Sequence, residues 1–304
     1  MRYNSLLLMN RRTFLKIAGT GIVLLGTGGY VYLNDEDMKP APERDGKVLC
    51  DLHTHPPNDS PLDELVSFLG SPGMIGLSQR YEDDSILTYE RARELLGSRS
   101  DFQELTIGKL ARFRDGYFAR TQEVLGVVHH FLALGWNGDY LSDKETPQEA
   151  IDAIHEKDGI VIFNHPYSVP GGFGFRVANE EEEERIKQLF SEVEEVEVHN
   201  AFNIDYLGIG MKQANRLALQ LVQREGRHKG TASSDCRRTF EQAKICGIYV
   251  DRDFIDTQGM DGLKKAIVDG NFERYGNPDK GPYISRLSFT TRLALPRIKM
   301  LLGI

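Results

Sequence analysis

Two histidines separated by one residue, His53 and His55, are the first candidates for chemistry in this chain. They follow an apolar run, residues 48–52, that predicts a β-strand, and alternate residues of a strand point to one face. The two imidazoles would therefore converge as ligands of one metal ion. Asp51 would lie on the same face and orient one of them. A His-x-His pair alone is weak evidence, so its context decides.

Further histidines and acids stand beside apolar runs later in the chain. They are Glu123 and His130, around the apolar stretch 124–134, His165, after a predicted strand at 160–163, and Asp235, after a predicted strand at 230–232. Side chains capable of chemistry thus gather where predicted strands begin or end.

The elements that must position these side chains alternate between strand and helix, which favours an α/β architecture with parallel strands. The predicted strands are 48–52, 74–77, 160–163, 193–198, 230–232 and 245–250. The predicted helices are 61–69, 90–96, 102–118, 147–157, 180–190 and 210–225. We expect Ser60 to cap the first helix with Pro61 at its first position, and Thr146 to cap the fourth.

The ordered motifs resemble those of the polymerase and histidinol phosphatase (PHP) superfamily. That family's pattern runs Asp-Leu-His-x-His, which residues 51–55 match, then Thr-Asp-His, a Glu, and a His before an apolar run ending in Gly. His-Pro and Ser-Asp-x-His complete it. The resemblance extends from about Val48 to Val250 and implies a distorted (β/α)7 barrel, with metal ions at the C-terminal ends of the strands.

Carried over position by position, the resemblance implies six metal ligands. They are His53, His55, Glu123, His130, His165 and Asp235. Glu123 would bridge two divalent ions, one held mainly by the His-x-His pair and Asp235, the other by His130 and His165. His129 is the alternative to His130 if the alignment is off by one residue. Mixed imidazole and carboxylate ligation suits Zn, Mn or Fe, and the sequence does not choose among them.

The chain departs from the family at the ligands of a third ion. Residues 78–80 read Ser-Gln-Arg in place of Thr-Asp-His, residues 234–237 read Ser-Asp-Cys-Arg, and no histidine occurs in 56–61. Arginine cannot ligate a cation, so we expect two ions. Arg80 and Arg237 would replace the charge of the third ion and clamp an oxyanion as catalytic residues. Neutral decay of an unused site is the alternative.

The N-terminal segment resembles a twin-arginine export signal. The run at 10–16 reads Asn-Arg-Arg-Thr-Phe-Leu-Lys, and an apolar stretch to residue 33 and three acids follow it. This order predicts a signal or membrane anchor at 1–33, a polar linker at 34–46, a barrel at 47–283 and a C-terminal tail at 284–304. The implied partner is the twin-arginine export machinery. The protein would then work outside the cytoplasm, in the periplasm or an equivalent space, with possible membrane association through this segment.

Composition excludes several functional classes. A mean hydropathy of −0.39 argues against a polytopic membrane protein, and 40% hydrophobic residues argue against disorder. The net charge of −8 repels nucleic-acid phosphates, so duplex nucleic acid is not an expected partner. Three cysteines are too few for a disulfide scaffold, and Cys50 and Cys236 are expected to serve packing. His199 is expected to be structural, and His155 and His228 solvated.

These expectations combine into an exported metal-dependent hydrolase of phosphate esters, acting on a small phosphorylated substrate that is a monoester or a diester. The alternative is a non-catalytic module that binds a metal ion or an anion on a decayed barrel. An amide hydrolase on a similar barrel is less favoured, because such sites commonly carry a metal-bridging lysine and no strand-end lysine is suitably placed here.

The export interpretation makes a direct prediction. Replacing Arg11 and Arg12 by lysine should leave a reporter fusion in the cytoplasm, because a twin-arginine signal depends on both guanidiniums. The measurement is reporter activity in the cytoplasmic and exported fractions. Continued export of the double variant through the general secretory route would contradict the interpretation.

Overall fold

The computed structural model describes residues 41–276, apart from a few single positions and pairs. The exceptions are residues 82, 127, 172–173, 203–204, 207–208, 211, 238–239 and 241–242. The predicted signal or anchor at 1–33 and the predicted tail at 284–304 lie outside the described residues.

Most strands belong to one twelve-stranded sheet, and two short hairpins stand apart from it. The strands are β1 (Lys47–His55), β2 (Gly73–Gln79), β3 (Phe102–Thr106), β4 (Leu110–Phe113), β5 (Gly116–Gly126), β6 (His129–Leu134), β7 (Ile160–Asn164), β8 (Ser168–Gly171), β9 (Gly174–Val177), β10 (Glu195–Asn200), β11 (Asp205–Tyr206), β12 (Ile209–Gly210), β13 (Thr231–Ser233), β14 (Cys236–Arg237), β15 (Gly247–Asp251) and β16 (Phe272–Tyr275).

The described helices are α1 (Leu62–Leu69), α2 (Tyr89–Leu96), α3 (Pro147–His155), α4 (Glu180–Leu189), α5 (Lys212–Glu225) and α6 (Arg252–Val268). Thr146 caps α3 in a capping box with Glu149, as predicted. The predicted Ser60 cap of α1 is wrong, because Pro61 itself occupies the capping position and α1 has no side-chain cap. Among the helices of the described ranges, none is long and apolar enough to cross a bilayer.

The main sheet curls into a nearly closed barrel. Its hydrogen-bonded order is β13-β10-β7-β6-β5-β2-β1-β15-β16. The chain leaves β13, and Asp235 donates its backbone N–H to the carbonyl of His53 at 2.9 Å. β14 then pairs in parallel with the end of β1, placing Arg237 opposite His55. The β13 end of this order thereby returns to β1.

Strand directions are mixed, which corrects the expectation of a parallel sheet. β1, β2, β5, β7, β10 and β13 run the same way, but β6 is antiparallel to both neighbours and β15 is antiparallel to β1. The fold is therefore α/β with a barrel-like sheet in which β4, β6 and β15 run against the other strands.

The predicted helix at 102–118 is wrong, because this segment forms β3, β4 and the start of β5. Gly108 turns β3 into β4 with φ +70°, and Arg114, with φ +54°, opens the next turn into β5. Positive φ at these positions interrupts any helix, since the left-handed region is unfavourable for continuing one. The three strands form an antiparallel meander, and its last strand, β5, also pairs in parallel with β2.

Two layers of helices on the outside and an apolar cluster at one end stabilise the barrel. Helices α1 and α2 cover one side, around Ile75 and Phe118, and α3, α4 and α5 cover another, around Phe131 and Phe163. Helix α6 follows β15. It packs Met260 and neighbouring residues into the cluster formed by the N-terminal halves of the parallel strands. One end of the barrel is therefore closed by apolar residues, which leaves the other end for polar ones.

Candidate metal centre

The polar end of the barrel collects the side chains singled out in the sequence. Six parallel strands end there, and the reversed strand β6 begins there, which brings His130 to the same edge. His165 follows β7 directly, and Asp235 follows β13 after one residue. The six predicted ligand positions are all buried at this edge. Carboxyl ends of barrel strands are where such folds build their sites.

A β-bulge in β1 determines the direction in which the side chain of His53 points. The pairing of β1 with β2 passes from Asp51–Ile75 to Thr54–Leu77, so β1 holds one extra residue. Leu52 and His53 consequently both line the interior of the barrel, against simple alternation. The β2 residue at this crossing is Gly76, where a Cβ atom would lie 1.9 Å from the carbonyl oxygen of Leu52.

The prediction that Asp51 orients a histidine is wrong, because the bulge separates Asp51 from the histidines. Before the bulge, Asp51 faces the loop after β13, where it accepts hydrogen bonds from Ser234 N at 2.9 Å and Ser234 Oγ at 2.6 Å. It also accepts from Lys244 N at 2.9 Å. Asp51 therefore fixes the loop that carries Asp235 and does not hold a histidine.

The hydrogen bonds at Nδ1 determine the tautomers of the His-x-His pair. His55 Nδ1 lies 2.7 Å from the carbonyl oxygen of Ser78, and His53 Nδ1 lies 3.3 Å from Glu197 Oε1. Both partners accept hydrogen bonds, so each Nδ1 carries a proton. The two Nε2 atoms face each other at 3.2 Å.

Acceptor atoms therefore converge on one point. Around the two Nε2 atoms lie Glu123 Oε2, 3.3 Å from His55, Glu123 Oε1, 3.5 Å from His53, and Asp235 Oδ1, 3.5–3.6 Å from both. Lone pairs directed at one buried point repel unless a cation, either a metal ion or a proton, lies among them. Although burial opposes the charged imidazole, Asp235 and Glu197 hold the pKa of His53 well above its usual range, as expected for a site that attracts positive charge. Nitrogen and carboxylate oxygen are the donor set of Zn, Mn and Fe sites, so the residues fit a divalent ion.

A second group of ligand atoms adjoins the first and shares Glu123. His130 Nδ1 lies 2.8 Å from Glu123 Oε1, and His165 Nε2 lies 3.4 Å from the same oxygen. The candidate groups are Glu123 with His130 and His165, Glu123 with the His-x-His pair, and Asp235 with His53 and His165. His129 instead places its ring edge-on against Phe163, so His130 is the histidine of the centre.

The electrostatics keep the carboxylates ionised. Burial opposes ionisation, but Arg80 and His130 outweigh it and hold the pKa of Glu123 well below its usual range. Burial likewise opposes ionisation of Asp235, and Arg237 and His53 nevertheless hold the pKa of its carboxyl below its usual range. Burial lowers the pKa of His55 to about 4, which keeps this imidazole neutral.

Arg80 and Arg237 both reach the centre, from the ends of β2 and β14. Arg80 Nε and Nη2 contact Glu123 Oε2, and Arg237 Nη2 lies 3.0 Å from Asp235 Oδ1. Their side chains are 25% and 21% exposed, so each guanidinium also faces the opening of the barrel. Both guanidiniums act on His55, since both lower its pKa.

Local backbone strain accompanies two of the candidate ligands. His165 has φ +28° and Asp235 has φ +46°, in the region that non-glycine residues rarely adopt. Such strain persists only where surrounding contacts enforce it, and it concentrates at functional sites.

Sequence reasoning missed two polar residues of the centre, Glu197 and Asn200 on β10. Glu197 contacts His53, and the Asn200 amide donates to Glu197 at 2.9 Å and to Asp235 at 3.2 Å. The available signal was a strand, Glu195–Asn200, in which acids alternate with valines before His199 and Asn200. His199 is buried beside them, and burial lowers its pKa to about 4.

Three further side chains lie away from the centre. His228 is buried and hydrogen-bonded to the carbonyls of Phe190 and Glu194, so the expectation that it is solvated is wrong. His155, by contrast, is 38% exposed beside Glu194. Cys50, like Cys236, is a buried free thiol.

Comparison with solved structures places the fold. The chain is similar to a two-domain protein from Bacteroides vulgatus that contains a predicted PHP-like metal-dependent phosphoesterase, with a TM-score of 0.51 and 14% identity. The match covers 77% of this chain and 67% of that one. No family model and no curated protein matches the sequence. The likeness therefore establishes a PHP-type fold.

The converging acceptors predict stabilisation by metal. Zn²⁺ or Mn²⁺ should raise the melting temperature of chelator-treated protein by roughly 5–10 °C at a hundredfold excess over the dissociation constant. Mg²⁺ should raise it little, because it prefers oxygen ligands. His55→Ala should reduce the shift, and His155→Ala should preserve it. An equal shift with Mg²⁺, or none with Zn²⁺, would argue against the centre.

Proposed function

We propose that this protein is a metal-dependent hydrolase of phosphate esters that uses two divalent ions. The observation that carries the proposal is the convergence of buried imidazole and carboxylate acceptors at the polar end of the barrel. One ion would be held by His53, His55 and Asp235, the other by His130 and His165. Glu123, which contributes an oxygen toward each group, would bridge them.

The charge of this centre favours an anionic substrate. The centre contains three buried carboxylates, Glu123, Asp235 and Glu197, and two guanidiniums, so two divalent cations would make the whole site positive. A pair of bound ions supplies Lewis acidity and activates water at neutral pH. A phosphate ester is the substrate class that such a site attracts and polarises, and the proposal includes both monoesters and diesters.

Arg80 and Arg237 would bind the non-bridging oxygens of the phosphoryl group. A guanidinium carries five N–H donors, and each arginine uses only some of them to contact its carboxylate. Among the described residues, Arg237 Nε is a buried donor without a hydrogen-bond partner. The two side chains extend from the ends of β2 and β14, which pair with opposite edges of β1, the strand that carries His55. Donors fixed before the substrate arrives stabilise the charge that develops in the transition state.

The second candidate is a non-catalytic module that binds a metal ion or an anion. The favouring observation is that both arginines already pair with carboxylates of the centre, as charge-balancing residues would. The two functions differ in turnover, since a binding module retains its ligand without hydrolysing it.

We also propose that the hydrolase works outside the cytoplasm. The support is the Arg11-Arg12 motif and the apolar stretch after it, which lie outside the described residues. A protein that binds its metal before transport suits a pathway that moves folded proteins. Membrane association through this segment is part of the same proposal.

Turnover and the two arginines test the function together. The zinc- or manganese-loaded protein should hydrolyse p-nitrophenyl phosphate or bis(p-nitrophenyl) phosphate. Arg80→Ala or Arg237→Ala should lower kcat/KM by roughly 10²–10³ with metal content unchanged, the scale of losing one fixed charge-stabilising donor. Lysine should restore only part of the rate, because it lacks the planar fork.

Arg99→Ala is the matched control, because Arg99 forms an exposed ion pair with Asp101 away from the centre. It should retain wild-type kcat/KM. Absence of hydrolysis by metal-loaded protein would favour the binding module. Loss of metal together with activity in the arginine variants would show charge balancing in place of an anion clamp.

A further inference from the structure

Glu197 is a buried carboxylate at the centre that receives hydrogen bonds from four sides. It is 2% exposed. Its Oε1 faces His53 Nδ1 at 3.3 Å and accepts from Ser233 Oγ. Its Oε2 accepts from His165 N at 2.8 Å and from Asn200 Nδ2 at 2.9 Å. Every partner donates, so the acceptor capacity of the carboxylate is used by protein groups alone.

We propose that Glu197 is a positioning residue that holds His53 in the tautomer able to bind a metal ion through Nε2. An ionised carboxylate only accepts hydrogen bonds, so it requires the imidazole proton at Nδ1. The lone pair at Nε2 then faces His55 and Glu123. The inference rests on the proposed metal centre and assigns a role to a residue outside its ligand set. Partners of this kind orient metal-binding histidines and raise their basicity.

The same carboxylate supports two other candidate ligands. Its bond to His165 N holds the backbone of that residue, whose φ of +28° is unfavourable without such a contact. The Asn200 amide bridges Glu197 and Asp235, with distances of 2.9 and 3.2 Å. Glu197 thus connects, directly or through Asn200, three candidate ligands that lie on β1 and after β7 and β13.

Little space exists beside Glu197 for water to replace a lost partner. The adjoining cavity has a volume of about 10 Å³ and is lined by His53, Asn164, Ser233 and apolar residues of the barrel interior. That volume is at the lower limit for a single water molecule. A polar group introduced at position 197 must therefore find its partners within the protein.

Glu197→Gln should reverse the tautomer of His53. On the Oε2 side, the His165 N–H and the Asn200 amide are donors, because Asn200 Oδ1 already accepts from Phe202 N at 2.9 Å. The glutamine oxygen must face them, which turns its amide NH₂ toward Ser233 and His53. The serine hydroxyl rotates to accept, whereas His53 must accept at Nδ1 and move its proton to Nε2. That proton would occupy the direction of the ion.

Zinc affinity measures this effect without any substrate. The assay is competition for zinc against a chromophoric chelator. In it, Glu197→Gln should lower the zinc affinity of the site that contains His53 by roughly 10–100-fold. The site formed by Glu123, His130 and His165 contains no atom of His53 and should keep its affinity.

Glu195→Gln is the matched control. Glu195 lies on the same strand, is also 2% exposed, and accepts from the backbone N–H groups of Val196, Lys229 and Gly230 at 2.9–3.0 Å. It contacts no candidate ligand in the described part of the chain, so its variant should keep both zinc affinities. Thermal unfolding of both variants reports any general loss of stability.

A measurement on wild-type protein keeps the inference testable if Glu197→Gln does not fold. In the zinc-loaded protein, ¹⁵N NMR should find the imidazole proton of His53 on Nδ1. A proton on Nε2, wild-type affinities in Glu197→Gln, or equal weakening of both sites would each overturn the role of Glu197. Wild-type protein that binds no zinc would instead refute the proposed metal centre itself.

Discussion

The convergence of hydrogen-bond acceptors in a buried space is the constraint on which the rest of the structure depends. Because Ser78 and Glu197 hold protons at Nδ1 of His55 and His53, both Nε2 lone pairs face each other and the carboxylates of the centre. Such an arrangement is unfavourable unless a cation fills it. The β-bulge in β1 and the positive φ values of His165 and Asp235 are local costs of the same arrangement.

Charge balance gives a physical reason for arginine at positions 80 and 237, where the resemblance to the PHP superfamily implies ligands of a third ion. Buried carboxylates need compensation, and the paired guanidiniums of Arg80 and Arg237 supply it at the side of the centre that faces solvent. Arginine remains charged at all physiological pH values and donates in a fixed planar geometry. The same residues neutralise the candidate ligands and, under the proposed function, would also present donors to an incoming anion.

The candidate ligands could be predicted because the ordered motifs around them resemble those of the PHP superfamily, and the structure buries all six at the end of the barrel where the parallel strands end. His53, Glu123 and Asp235 are separated by long stretches of chain, yet order and spacing indicated one site. The helix predicted at 102–118 was wrong, although Gly108 marked a turn. The bulge beside His53 and the role of Glu197 depend on contacts between distant strands, which local patterns do not contain.

Anomalous X-ray diffraction from crystals grown with zinc tests the central claim most directly. The account predicts two peaks at the polar end of the barrel, one beside His53 and His55 and the other beside His130 and His165, with Glu123 in contact with both. Absence of peaks in this cluster, or peaks only elsewhere on the protein, would contradict it.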